Sequence, residues 1–77
     1  MIRGDFVTLR LGDQEIEAMV TLASPNGRSL VLMFDGMLRT PDGGGFPGVL
    51  AVFQEDDGSW VEIVRATRVE ITLRKGH

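Results

Sequence analysis

The chain contains no cysteine and no tyrosine among its 77 residues, and its single histidine, His77, is the last residue. Without cysteine, disulfide bonds, thiolate-ligated zinc and thiol catalysis are all excluded. A terminal histidine is a poor general base, because chain ends usually fray. We therefore predict that the protein is not an enzyme and that it holds no cofactor and no metal.

The chain also lacks an excess of positive charge and any long apolar segment. Its formal net charge is −3, which argues against a general attraction to nucleic acid or to anionic membranes. The longest apolar runs, 30–34 and 49–53, are far shorter than the ~20 residues of a membrane helix. Residues 1–5 do not resemble a signal peptide. The expected location is the cytoplasm.

Turn dipeptides are present at regular intervals, and apolar or alternating segments fill the gaps between them. This pattern indicates a β meander, because aspartate, asparagine and glycine favour the backbone angles of tight turns. Five or six short antiparallel strands in a single domain, 1–77, most often close into an SH3-like or related small barrel. The turn dipeptides are Gly12-Asp13, Asn26-Gly27, Asp35-Gly36, Asp42-Gly43 and Asp57-Gly58.

The segment 14–22 is compatible with two kinds of secondary structure. Its apolar residues alternate as in a strand, yet some of them also share a helical face behind a possible N-cap at Asp13. The turn sequence at 24–27 is followed at once by a strongly apolar strand, which favours the strand interpretation.

Two five-residue segments, 30–34 and 49–53, are apolar on both faces. A small barrel covers only one side of each strand. The other side would leave four or five large side chains in water, each contributing ~1.5 kcal/mol or more when buried. We therefore predict a protein-interaction or self-assembly module whose outer face is covered by a second copy or by another protein. The predicted interface residues, with the phenylalanines as anchors, are Val31, Met33, Phe34, Met37, Leu38, Phe46, Val49 and Phe53.

The glycine-rich segment 35–48 between these runs is expected to be a long connection, able to fold over one face as a lid. Long connections in compact domains often carry function, so a small-ligand site beneath this segment is the alternative. Its predicted polar contacts are Asp35 and Arg39, and Phe46 would supply an apolar wall. The spacing of Gly43, Gly45 and Gly48 fits a dinucleotide fingerprint only formally, because a strand and not a helix follows it.

The charged residues allow one further alternative, a weak nucleic-acid-binding barrel. Basic residues near both ends of the chain could form a stripe if the terminal strands pair. Acidic residues alternate with them, however, which favours cross-strand ion pairs on a solvated face. The basic residues are Arg3, Arg10, Arg65, Arg68, Arg74 and Lys75, and the intervening acids are Asp5, Glu62 and Glu70. Trp60 is expected to pack in the core, and the acidic run 55–57 to form a hairpin tip.

Overall fold

Tight turns separate six antiparallel strands in the computed structural model, which describes residues 1–74. They close in sequence order into a barrel, with the last strand paired to the first. This confirms the expected small all-β barrel of the SH3-like or related kind. Lys75 and His77 lie outside the described residues. The strands are β1 (Phe6–Leu11), β2 (Gln14–Ala23), β3 (Ser29–Arg39), β4 (Gly45–Gln54), β5 (Trp60–Glu62) and β6 (Arg68–Leu73).

The described part of the chain contains no helix, and hence none long and apolar enough to cross a membrane.

The ambiguous segment 14–22 belongs to β2, as the turn after it indicated. Ala18 and Val20 point into the barrel, because in a strand every second side chain lies on the same face. The register with β3 shifts between Val20 and Leu22, so Thr21 is an extra residue that forms a bulge. Its hydroxyl donates to the carbonyl of Val31 at 3.1 Å. After the bulge Leu22 points outward.

The barrel interior is filled by aliphatic side chains from β1 to β4 and β6 and by Trp60 of β5, which is 7% exposed, as expected from its apolar neighbours. This core is one continuous cluster, and partly buried residues such as Phe34, Phe46 and Ile71 pack against it. Its buried members are Val7, Leu9, Leu11, Ala18, Val20, Leu30, Leu32, Leu38, Leu50, Val52, Trp60 and Val69.

The prediction of a long connection over 35–48 is wrong. β3 continues to Arg39 and β4 begins at Gly45, so only residues 40–44 form the turn. Between the pairs Met33↔Val49 and Met37↔Pro47, three residues of β3 face the single Gly48. Gly36 and Gly48 have φ angles of 99° and 78°, a region that glycine adopts without steric cost. The Asp35-Gly36 dipeptide thus marks a bulge inside a long hairpin, and no lid is formed.

The barrel closes through β5, the shortest strand. β5 pairs with β4 at three positions and with β6 at two. The next turn is held by Glu62, whose side chain is only 2% exposed. Its two carboxylate oxygens accept hydrogen bonds from the backbone N–H groups of Val64 at 2.7 Å and Arg65 at 2.9 Å.

Candidate functional site

Outward-pointing apolar side chains form two neighbouring rows across the strands. The strand registers place Phe6, Met19, Met33 and Val49 side by side on β1 to β4, and we name these residues the first row. The second row consists of Leu22, Val31 and Ala51 on β2 to β4, continued by Ile63, whose N–H donates to the carbonyl of Ala51 at 3.1 Å. Phe53 lies two residues beyond Ala51 on the same side of β4. The two rows and Phe53 together are called the apolar face.

A large part of the apolar face is exposed to solvent. Seven of its side chains, all except those of Val31 and Ala51, are between 38% and 61% exposed. Their exposed surface amounts to roughly 700 Å², above the ~300–600 Å² of the largest patch on a typical monomer. None of the nine residues carries a charge. The face therefore has the size and composition of a surface that is covered in a complex.

A polar surface on β6, β1 and the first half of β2 adjoins the first row. Arg10 pairs with Glu15 at 2.9 Å and lies beside Glu70 in the register with β6. The hydrogen bond that the Arg10 guanidinium donates to Glu15, followed by the negative charges of Glu15 and Glu70, raises the pKa of Arg10 above its ordinary value. Arg74 pairs with Glu17 at 2.8 Å. Arginines of the predicted set thus form ion pairs, but with Glu15 and Glu17 in place of the predicted acids Asp5, Glu62 and Glu70.

Two grooves flank the apolar rows. The first, of about 450 Å³, runs between Phe6, Met19, Met33 and Phe34, with the carboxylates of Glu17 and Asp35 also in its lining. The second, of about 320 Å³, lies beside the second row and is almost entirely apolar. Its lining includes Leu22, Val31, Ala51 and Ile63. Both are open to solvent, so they can accept side chains of another molecule more readily than enclose a small one.

The structure places seven of the eight predicted interface residues in three different environments. Val31, Met33, Val49 and Phe53 belong to the apolar face. Met37 is 51% exposed and lies beyond the bulge, opposite Pro47. Phe34 and Phe46 are partly buried against the core.

Leu38 was wrongly predicted as an interface residue. It is 1% exposed, because the even-numbered positions of β3 point into the barrel. Its side chain therefore packs inside and cannot contact a partner.

The three residues predicted for a ligand site do not meet. Asp35 lines the first groove, whereas Arg39 lines a separate depression together with Gln14 and Pro41. The backbone of Arg39 is held by the Gln14 side chain, which accepts from its N–H at 2.7 Å and donates to its carbonyl at 2.6 Å. The guanidinium carbon of Arg65 lies over the Phe46 ring, 5.7 Å from the ring centroid.

The turn 40–44 is joined to the 63–67 turn by the same arginine. The guanidinium of Arg65 lies 3.6 Å from the carboxylate of Asp42 and 3.4 Å from the hydroxyl of Thr40. The Thr40 hydroxyl donates to Asp42, and together with the N–H of Gly44 it lowers the pKa of that carboxyl. The polar groups of this glycine-rich turn therefore find partners within the chain.

The acidic run 55–57 forms the expected hairpin tip, and its carboxylates point to separate partners. Glu55 pairs with Arg68 at 3.2 Å and Asp56 with Arg28 at 2.9 Å. Asp57 accepts hydrogen bonds from the hydroxyl and the N–H of Ser59, which lower its pKa. These contacts satisfy the carboxylates one by one. Within residues 1–74 no group of three potential metal-ligating side chains is brought together.

Sequence reasoning missed several residues of the face and misplaced one acid. Phe6, Met19 and Leu22 lie outside the two most apolar segments. The alternation of apolar residues in β2 would have indicated that Met19 points outward. The bulge at Thr21, which turns Leu22 outward, has no signature in the sequence. Glu62 was expected on a solvated face among arginines, but it is buried and binds backbone amides.

Comparison with known proteins adds no further information: no protein-family model, no curated protein and no solved structure matches this chain.

Proposed function

We propose that the protein is a protein-interaction or self-assembly module that buries its apolar face against another protein surface. The observation that carries this proposal is the continuity of the face. Four strands contribute adjacent, exposed and uncharged side chains to the first row alone.

The size of the face is sufficient for specific association. Removing roughly 700 Å² of apolar surface from water contributes about 17 kcal/mol at 25 cal/mol per Å². Association costs about 4–15 kcal/mol in lost translational and rotational freedom. Ordering of side chains at the interface adds about 0.5–1.5 kcal/mol to the cost for each one immobilised, so the gross gain is of the size that association requires.

Packing of faces fits this barrel better than addition of a strand. Each strand is paired on both sides along at least part of its length, so few edges remain. The longest part of a strand that has a ladder on one side only is 45–51 of β4, because β5 pairs only with 52–54. Pro47 lies within it and has no N–H to donate to an added strand.

Photo-crosslinking tests the proposal directly. A photoreactive phenylalanine analogue is placed at Met33, in the middle of the first row, and in a second variant at Thr72, which is exposed on the polar side. We expect protein adducts from position 33 and none from position 72, in the purified protein or in cell extract. Equal labelling at both positions, or no adduct from position 33, would contradict the proposal.

A further inference from the structure

We infer that the partner on the apolar face is a second copy of this chain. The two copies would be related by a two-fold axis that lies in the interface, between the two apolar rows and parallel to them. This inference rests on the proposed function and names its partner. In such an arrangement the first row of each copy packs on the second row of the other, because a two-fold interface brings the same surface of both copies together.

The side chains of the two rows match in size. On each shared strand the first row carries the longer residue: Met19 against Leu22, Met33 against Val31, and Val49 against Ala51. The axis would lay each long side chain over a shorter one of the partner copy. The second groove, of about 320 Å³, lies beside Val31 and Ala51, where the Met33 side chain of the other copy would enter. Methionine is unbranched and flexible, and so it fills irregular apolar space well.

The shape and area of the molecule fit this contact. The barrel measures 32 × 29 × 18 Å, and such a flattened shape gives it broad faces that can pack flat on one another. The exposed apolar side chains of each copy provide roughly 700 Å², close to the ~800 Å² per partner of a standard specific interface.

The charge distribution also favours a second copy. The chain carries a formal charge of −3, so two copies repel unless their charges stay apart. Arg74 and Glu17, which border the first row, are paired with each other at 2.8 Å, and the Arg10–Glu15 pair lies farther along β1 and β2. The nine residues of the apolar face carry no charge, so two copies can bring these faces together without placing like charges opposite one another there.

The mass of the protein in solution tests the identity of the partner. We expect light scattering after size-exclusion chromatography to give twice the chain mass of 8.4 kDa. Met33→Glu places an unpaired charge in the interface and should raise the dissociation constant at least about 100-fold. Thr72→Glu adds the same charge on the polar side and should remain a dimer. Val49→Glu repeats the test in the same row, and circular dichroism establishes that each variant is folded.

Cross-linking tests the direction of the axis. Ser29 and Asp35 lie on β3 on opposite sides of the two rows, and the chain has no cysteine of its own. With packed sheets ~10 Å apart, the inferred axis brings residue 29 of one copy over residue 35 of the other. Two copies of residue 29 would instead be separated by roughly 20 Å along the strand at 3.3 Å per residue. A 10 Å bis-maleimide should therefore link Ser29→Cys copies to Asp35→Cys copies and not to each other.

The outcomes separate this inference from the proposed function. A monomeric wild-type protein that still gives adducts with a different protein at position 33 overturns the second copy and leaves the interaction module intact. A dimer that Met33→Glu and Val49→Glu leave unchanged places the contact elsewhere and overturns the inference. Predominant self-linking of Ser29→Cys copies also overturns the inference, because such self-linking requires a two-fold axis along the strands. A monomer without adducts overturns both proposals.

Discussion

Replacing the buried Glu62 with glutamine should destabilise the protein far more than the same replacement on the surface. The carboxylate of Glu62 accepts hydrogen bonds from the N–H groups of Val64 and Arg65, and it is 2% exposed. Hydrogen bonds to a charged group contribute ~1.5–3 kcal/mol each. Glutamine keeps one acceptor, but its NH₂ group would face the second N–H donor, so one bond is lost and the other is weakened.

Part of this loss is offset, because the glutamine side chain avoids the desolvation of a buried charge. We therefore expect Glu62→Gln to lower the free energy of unfolding by about 2–3 kcal/mol, out of roughly 4–12 kcal/mol for a domain of this size. The melting temperature should fall by roughly 10–20 °C.

Urea and thermal unfolding of Glu62→Gln provide the measurement, with Glu70→Gln as the matched control. Glu70 is exposed, and its replacement removes the same charge, so its effect should stay below about 0.5 kcal/mol. Hydrogen exchange supplies a second measurement, since the amides of Val64 and Arg65 should lose protection in Glu62→Gln only. A variant as stable as the control, with both amides still protected, would refute the role assigned to Glu62.

Three further predictions concern the turns and the β2–β3 contact. Ala66→Gly should raise the free energy of unfolding by about 0.5–1 kcal/mol in urea titrations, because Ala66 has a φ of 57° that glycine adopts without strain. Gln14→Ala should lower it by about 1–2 kcal/mol through loss of both bonds to the Arg39 backbone, and Gln14→Glu should lower it at least as much, because a carboxylate oxygen would face the Arg39 carbonyl in place of the NH₂ donor. The pKa values of Asp42 and Asp57 are lowered in the fold, so their contribution to stability is full above the ordinary value of 3.8 and is lost as the pH falls below it. Acid titrations of Asp42→Asn and Asp57→Asn should accordingly show a smaller loss of stability below this pH than the wild type, and identical slopes would contradict the assignment.

The turn chemistry of the sequence predicted most of the architecture, and the same chemistry explains the main error. Asp42-Gly43 marks the true hairpin turn, but Asp35-Gly36 carries the same dipeptide inside a strand. A positive φ is required in both places, so the local sequence does not separate a bulge from a turn. The difference depends on Gly48, which lies opposite in the partner strand and has a positive φ as well.

The sequence predicted the candidate site only in the segments whose apolar composition requires that they be covered. The apolar runs 30–34 and 49–53 indicated an outer face, and four of the residues predicted from them belong to it, but composition alone did not separate outward from inward positions, and Leu38 was included wrongly. Glu62 could not be placed in the same way. Its position in a short strand fits a solvated surface, and only the path of the following turn provides the backbone N–H groups that make its burial favourable.

The junction between β5 and β6 is short, and this allows local opening of the barrel without a change in the shape of the apolar face. Only two register pairs join these strands, so transient opening of the ring should begin there and expose Trp60, which lies at the junction. All six strands would stay connected as one curled sheet, from β6 through β1 to β5. Most of the apolar face lies on that sheet. The barrel can therefore fluctuate at its closing strand while the surface offered to a partner keeps its shape.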